Sequence, residues 1–278
     1  MRQLALLVAV GTLSCATAAH GQDFNHSVWD RVLKQYVTED GRVDYAALRA
    51  NRTEFDAYIA QIAARSPESH PQEFIARKAG DGKPYPAREA QLAYWINAYN
   101  ALTIRGVIDN WPTESVRDLG FLFGFFRRSD YTVGGMKVSL NYIEHDVIRK
   151  QFNEARIHFA LVCASLGCPK LRREAYVPER LEQQLEDSAR YFINEPRNLV
   201  VDAARRRVTI SKIFDWYGSD FEKYVRAKGL SKGGSLILDY MLLYANEANR
   251  AAILAVKSPK IGYADYSWEI NAVSAPDL

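Results

Sequence analysis

The chain has 278 residues, of which 48% are hydrophobic, 12% aromatic and 25% charged. These proportions are typical of a folded globular protein and exclude disordered and collagen-like chains. Lys and Arg number 36 against 33 Asp and Glu, so the formal net charge is only +3. We predict no nucleic-acid partner, because such proteins carry a larger and more clustered basic excess. Three cysteines are too few for a small scaffold built on disulfides.

Residues 1–22 have the three-part pattern of a cleaved secretory signal peptide. Arg2 is followed by an apolar run at 4–13 and then by small residues at 16–18. The run is about half of the roughly 20 residues that span a bilayer, and no other stretch approaches that length. A lipoprotein form acylated at Cys15 is disfavoured because a bulky residue precedes this cysteine. We therefore expect a periplasmic or secreted protein without an integral membrane segment after signal removal.

Residues 23–278 are predicted to form a single domain, since no linker rich in Pro, Ser or Gly divides them. An N-terminal helical region at 23–77 precedes a breaker-rich loop at 78–86. Apolar periodicity and turn signals predict the remaining helices. In chain order, the predicted helices are 24–36, 45–64, 87–110, 141–152, 178–194, 220–228 and 235–256. Asn141 and Glu144 have the spacing of a capping box for the fourth of them.

Two short hairpins and two longer runs are the predicted strands. Gly134-Gly135 is a two-residue hairpin signal. The predicted strands are 131–133 with 136–138, 157–163, 199–202 with 207–210, and 261–270. The run at 157–163 is almost wholly apolar, which is typical of a strand covered on both faces. Helices dominate this pattern, so the predicted class is α+β with a small, mainly antiparallel sheet.

Residues 156–171 hold the strongest candidates for a functional site. Cys163 ends the predicted strand, and Cys168 lies in the turn-rich loop that follows. A cysteine at such a position can act as a nucleophile when a histidine base removes its proton. His158 and His145 are the candidate bases. On a regular strand, however, the odd spacing would place His158 on the face opposite Cys163 and about 16 Å from it.

Several roles are open to Cys163 and Cys168 at this point. They are the only cysteines left after signal removal. In an oxidising compartment they can form a disulfide, because a turn can bring their Cα atoms within about 6 Å. Either could instead be a catalytic thiol, a small buried apolar residue or a metal ligand. No fourth ligand is evident and no phosphate-binding glycine loop is present, so we predict neither a metal nor a cofactor.

Three further residues are candidates for binding a ligand. Asn97 and Asn100 share one face of a strongly apolar predicted helix. A buried amide needs hydrogen-bond partners, which predicts either contacts to neighbouring loops or a polar wall of a pocket. Asp215 lies among aromatic residues, where it could orient a histidine or cap a turn.

Five separated blocks resemble the family called domain of unknown function 547. These blocks are 93–103, 143–146, 158–169, 213–217 and 261–271, which together span about 87–271 in the family's order. The resemblance implies a reusable domain that occurs in exported bacterial proteins. It assigns no catalytic role. The outline is also similar, at the level of fold alone, to transglutaminase-like and papain-like proteins, although their nucleophilic cysteine opens a helix that here carries asparagines.

Two functions are compatible with these observations. The preferred one is a non-catalytic binding module of the cell envelope, which takes a small molecule or an envelope protein and contains a Cys163–Cys168 disulfide. The alternative is a cysteine-dependent hydrolase or acyl-transfer enzyme, with Cys163 as nucleophile and His145 or His158 as base.

Overall fold

A computed structural model describes residues 23–78, 84–85, 87–121 and 124–274. The predicted signal peptide at 1–22 lies outside these residues. Within them, the α-helices have the following bounds: α1 Ser27–Tyr36, α2 Tyr45–Ala50, α3 Thr53–Ala64, α4 Ala87–Asp109, α5 Gly124–Arg127, α6 Arg149–Phe152, α7 Leu181–Asn194, α8 Ile213–Trp216, α9 Gly218–Ala227, α10 Leu236–Tyr244 and α11 Glu247–Ala255. No described helix is both long and apolar enough to cross a bilayer.

The strands form three small sheets. Their bounds are β1 Arg77–Lys78, β2 Pro84–Tyr85, β3 Tyr131–Val133, β4 Met136–Val138, β5 Leu199–Asp202, β6 Arg207–Ile210 and β7 Lys260–Tyr263. The pairs β1–β2, β3–β4 and β5–β6 are antiparallel, whereas β7 joins β6 in parallel. Gly134 and Gly135 both have positive φ, as the two-residue turn between β3 and β4 requires. The α+β class and both predicted hairpins are confirmed.

Buried apolar side chains form two clusters. The first surrounds α4 and includes residues from α1 to α3. The second joins α7 to α9, α10 and the sheet of β5 to β7. The segment 155–168 contributes to both: Phe159 packs in the second cluster, while Leu161 and Cys168 pack in the first. Side chains of this segment are therefore held where the two clusters meet.

The long helix α4 carries two buried asparagines that bind neighbouring backbone. Asn97 donates to the carbonyl of Tyr176 (2.7 Å) and accepts from its N–H (3.0 Å). Asn100 donates to the carbonyl of Ala160 (2.9 Å) and accepts from the N–H of Val162 (2.9 Å). Each side-chain amide thus takes the place of a neighbouring strand for a buried stretch of backbone. These bonds compensate for the cost of burying the amide.

The predicted strand at 157–163 is wrong. Residues Ala155–Phe159 form a 3₁₀-helix, and the N–H groups of Ala160 and Leu161 both bond to the carbonyl of Ile157. The continuous apolar character is real, but it reflects burial between two clusters and not a sheet. The parity argument that separated His158 from Cys163 therefore does not apply, since it assumed strand geometry.

The helix at 141–152 exists, but its predicted capping box is wrong. Asn141 is itself helical and makes no capping bond. Ser139 does so instead, with its Oγ accepting from the N–H of Tyr142 (3.0 Å). The following turns, Tyr142–Ile148, are of the wide π type and continue into α6. Such wide turns are frequent at functional sites, and this one contains Glu144.

Three other predicted boundaries also differ. The helix at 45–64 is divided between α2 and α3, and the helix at 235–256 is divided by Asn246, whose side chain caps α11. The strand at 261–270 is shorter, because only Lys260–Tyr263 pairs with β6. Beyond it, Glu269 and Ile270 make isolated bridges to other segments. This irregular stretch packs against the segment 164–167.

Replacing Asn100 tests whether its amide holds the segment at 160–162. Asn100→Ala is expected to lower the free energy of unfolding by about 2–4 kcal/mol, because it leaves a buried carbonyl and a buried N–H without partners. Urea unfolding measures this change. The control is Asn51→Ala, since Asn51 is exposed and bonds a single carbonyl, and its cost is expected to be about 0.5 kcal/mol. Equal costs for the two variants would contradict this role.

Candidate functional site

A cavity of about 430 Å³ opens where the two apolar clusters meet. Its aromatic lining consists of Tyr99, Phe126, Trp216, Tyr217, Tyr266 and Trp268. Its polar lining consists of Arg127, Asn141, Glu144, His145 and His158, and both Cys163 and Cys168 also face it. The volume lies within the range of small-molecule sites, which are mostly apolar with a few convergent polar groups.

Three rings form an aromatic wall. The centroid of Tyr266 lies 4.8 Å from that of Trp216 and 4.6 Å from that of Trp268, and the two indoles are 5.6 Å apart. Trp216 is 44% exposed, so this wall reaches solvent at the cavity mouth. Large aromatic faces next to an opening provide contact area at a low cost in conformational entropy.

Glu144 places a carboxylate in the interior of the cavity. It is 8% exposed and accepts a hydrogen bond from the hydroxyl of Tyr99 (3.2 Å). Burial and the Glu144 carboxylate together raise the pKa of the Tyr99 phenol, and they have the same effect on the pKa of Tyr217. Both hydroxyls therefore remain protonated and available as donors. Across the described ranges, no ion pair to Glu144 is found.

Asp220 in α9 joins three side chains from other elements. Its carboxylate accepts a bidentate pair of bonds from Arg149 (2.7 and 2.9 Å) and a further bond from Nε2 of His158 (2.8 Å). Burial acts to raise the pKa of Asp220, but the bonds from His158 and Arg149 outweigh it and hold this pKa well below its usual range. Asp220 is therefore an anion whose charge Arg149 balances.

His158 is held rigidly by its neighbours. Its ring lies against Tyr217, with centroids 3.9 Å apart, and meets Phe221 edge-on at 5.4 Å. Burial lowers the pKa of His158, although hydrogen bonding to Asp220 opposes this shift. The imidazole is thus neutral at pH 7, and the bond to the Asp220 carboxylate assigns its proton to Nε2.

His145 is fixed in a complementary way. Its Nδ1 lies 2.8 Å from Nη1 of Arg149. A guanidinium can only donate, so Nδ1 accepts and carries no proton. His145 and His158 therefore both contribute neutral rings to the cavity, and Arg149 connects them through Asp220.

Cys163 and Cys168 form a disulfide with an S–S distance of 2.08 Å and a Cα–Cα distance of 6.2 Å. The hydroxyls of Ser165 and Tyr266 each lie 3.1 Å from Sγ of Cys163 and 3.0 Å from each other. The N–H of Cys163 donates to Sγ of Cys168. The predicted pairing is confirmed, and it closes the turn that forms one wall of the cavity.

The sequence candidates fall into two groups. His145, His158, Cys163 and Cys168 all line the cavity. The others lie elsewhere: the amides of Asn97 and Asn100 are engaged with backbone, and the carboxylate of Asp215 pairs with Lys212 at 2.8 Å. No group of three or more His, Cys, Asp or Glu residues that could hold a metal ion was found in the part of the chain that the structure describes.

Residues 85–193 match the model of a family described as protein of unknown function, DUF547. This chain contains a DUF547 domain. The matched range includes the four cavity residues that the sequence had singled out, together with Glu144. The two later blocks, at 213–217 and 261–271, lie outside the matched range. No curated protein and no solved structure matches the chain significantly.

Sequence reasoning missed Glu144 and Asp220, one inside and one outside the DUF547 match. Glu144 was considered only as a capping residue. It lies four residues after Leu140, on the face of the helix that also carries Ile143 and Val147, so an acidic residue on an apolar face was the available signal. Nothing in the sequence distinguishes Asp220 from Asp215, which is the residue named above as able to orient a histidine or cap a turn.

Comparing Asp220 with Asp215 tests the network at the cavity. Asp220→Ala is expected to lower the free energy of unfolding by about 2–4 kcal/mol, because it leaves the Arg149 guanidinium without a counter-charge in a half-buried site. The matched control, Asp215→Ala, removes an ion pair that is 39% exposed on the carboxylate side and should cost less than about 1 kcal/mol. Urea unfolding of both variants gives the comparison. A cost for Asp220→Ala no greater than the control's would show that the network is not structural.

Proposed function

We propose that this protein is an exported binding domain whose cavity holds a small organic molecule. The observation that supports this most strongly is the cavity of about 430 Å³, with its aromatic wall and a few converging polar groups. An exposed indole at the mouth suits a ligand that enters from solvent and packs a flat or ring-shaped portion against Trp216, Tyr266 and Trp268.

The disulfide favours binding over catalysis. A cysteine nucleophile acts as a thiolate, whereas both sulfurs at this cavity are joined to each other. The histidines are also committed to internal bonds, to Asp220 in one case and to Arg149 in the other. These features favour a rigid, preformed wall, which lowers the entropic cost of binding a ligand.

Export is the second part of the proposal. It rests on the signal-peptide pattern at 1–22. A disulfide between Cys163 and Cys168 is compatible with that compartment, because disulfides persist where the environment is oxidising. The ligand would then be a molecule of the periplasm or the cell exterior, or a portion of an envelope protein small enough to enter the cavity.

A second candidate is the cysteine-dependent hydrolase or acyl-transfer enzyme. The observation in its favour is that Cys163 lines the same cavity as His145 and His158. Catalysis would require prior reduction of the disulfide, followed by proton transfer from the Cys163 thiol to a histidine. The binding proposal needs no such step and is therefore preferred.

Filling the cavity tests the binding proposal. The probe is N-phenyl-1-naphthylamine, a neutral dye that fluoresces in apolar surroundings. Leu161 is buried and lines the cavity, so Leu161→Phe should reduce the dye's affinity at least about tenfold by occupying the space. Fluorescence titration of the purified full-length chain measures the affinity.

The matched control places the same ring elsewhere. Val200 in β5 is 55% exposed and does not line the cavity, so Val200→Phe should bind the dye as the wild type does. Thermal unfolding checks that both variants remain folded. If the wild type fails to bind the dye, or if all three proteins bind it equally, the cavity is not the binding site.

A further inference from the structure

We infer that the ligand is an organic cation, whose ammonium group is held by Glu144 and surrounded by the aromatic lining. This inference rests on the proposed binding function and specifies the ligand's chemistry. Glu144 is almost wholly buried and faces the cavity, and it accepts a hydrogen bond from the neutral hydroxyl of Tyr99. A buried carboxylate without a counter-charge is costly, and a cation in the cavity would supply that charge.

Arg149 acts on Glu144 at longer range but forms its ion pair with Asp220, so Glu144 has no ion-pair partner of its own among the described residues. Asp220 and Arg149 balance each other through a bidentate pair. His158 is neutral because burial lowers its pKa, and Nδ1 of His145 carries no proton because it accepts from Arg149. The interior surface of the cavity therefore has a net negative charge.

Arg127 is the remaining charged residue of the lining. It lies in the short helix α5 and is exposed, so water screens its charge at the rim. An anionic ligand bound deep in the cavity would meet Glu144 and gain little from Arg127. A cation bound there would be attracted by the Glu144 carboxylate and would lie away from the positive charge of Arg127.

The aromatic lining suits the same ligand. Aromatic rings attract cations through their negative faces, and cages of such rings recognise quaternary ammonium groups. Tyr99 and Tyr217 lie near the carboxylate, which contributes to raising the pKa of both phenols. The Glu144 carboxylate and the aromatic side chains thus line the same cavity, where each would contribute to holding the same charge.

Two pairs of probes separate charge from shape. The first pair is choline and its neutral isostere 3,3-dimethylbutan-1-ol, and the second is benzylamine and benzyl alcohol. Each competes with N-phenyl-1-naphthylamine for the wild-type protein at pH 7. We expect the cation of at least one pair to displace the dye at a concentration at least about tenfold lower than its neutral partner does.

Glu144→Gln is the decisive variant, because glutamine preserves the shape of the side chain and removes its charge. It should still bind the dye, while the preference for the cation over its isostere falls to less than about threefold. Arg127→Gln is the control variant, because it removes a positive charge from the lining where Glu144→Gln removes a negative one. It should leave displacement by the cation unchanged or improve it.

The outcomes distinguish the two proposals. If the wild type binds the dye but neither cation outcompetes its neutral partner, the cation inference is wrong and the binding function stands. A preference for cations that persists in Glu144→Gln would also overturn it, because a group other than Glu144 would then bind the ammonium group. If the wild type binds no dye and no probe changes its thermal unfolding, both proposals fail together.

Discussion

The irregular segment at 155–168 is buried without a sheet to satisfy its backbone, and most of the site depends on how that requirement is met. Buried N–H and C=O groups need partners. Asn100 serves the residues at 160–162 from one side. Arg197 donates to the carbonyls of Leu166 and Cys168 from another. The C-terminal stretch 267–271 bonds Ala164, Leu166 and Gly167 through its backbone. Three distant parts of the chain thus hold one segment in place.

This arrangement explains why the cavity forms where it does. The segment places His158 in contact with Asp220, and it places Cys163 and Cys168 in the lining of the cavity. The stretch that bonds its backbone also supplies Tyr266 and Trp268 to the aromatic wall. Groups that satisfy the backbone and groups that line the cavity therefore come from the same parts of the chain. A substitution of Asn100 should therefore disturb the cavity, although Asn100 does not line it.

Local patterns made part of this structure predictable. The helix at 87–110 follows from apolar periodicity, and the turn at Gly134-Gly135 follows from glycine's access to positive φ. The spacing of Cys163 and Cys168 allowed their pairing. An apolar run such as 157–163 has no such local signature, because burial on all sides looks the same for a strand and for a 3₁₀-helix between two clusters. Its conformation depends on Asn100, about 60 residues away in sequence.

Which acidic residue meets a histidine was unpredictable for a related reason. Asp215 and Asp220 lie five residues apart in the same aromatic stretch, and only tertiary packing decides that Asp220 faces His158 while Asp215 pairs with Lys212. Glu144 was interpreted as a capping residue because it lies three residues after Asn141, which is the spacing of a capping box. Its burial becomes evident only when Tyr99 and Tyr217 pack around it. The sequence thus singled out four residues that line one cavity, but not Glu144 or Asp220 beside them.

The thiol state of the protein as it is made tests the central claim, that this cavity is a preformed binding site and not that of a cysteine enzyme. The full chain would be purified from the oxidising compartment without reductant and treated with iodoacetamide. Its intact mass would then be measured by mass spectrometry. We predict no alkylation at Cys163 or Cys168 and a mass two hydrogens below that of the reduced chain. A single thiol at Cys163 that alkylates rapidly near neutral pH would contradict the binding account and support the enzyme.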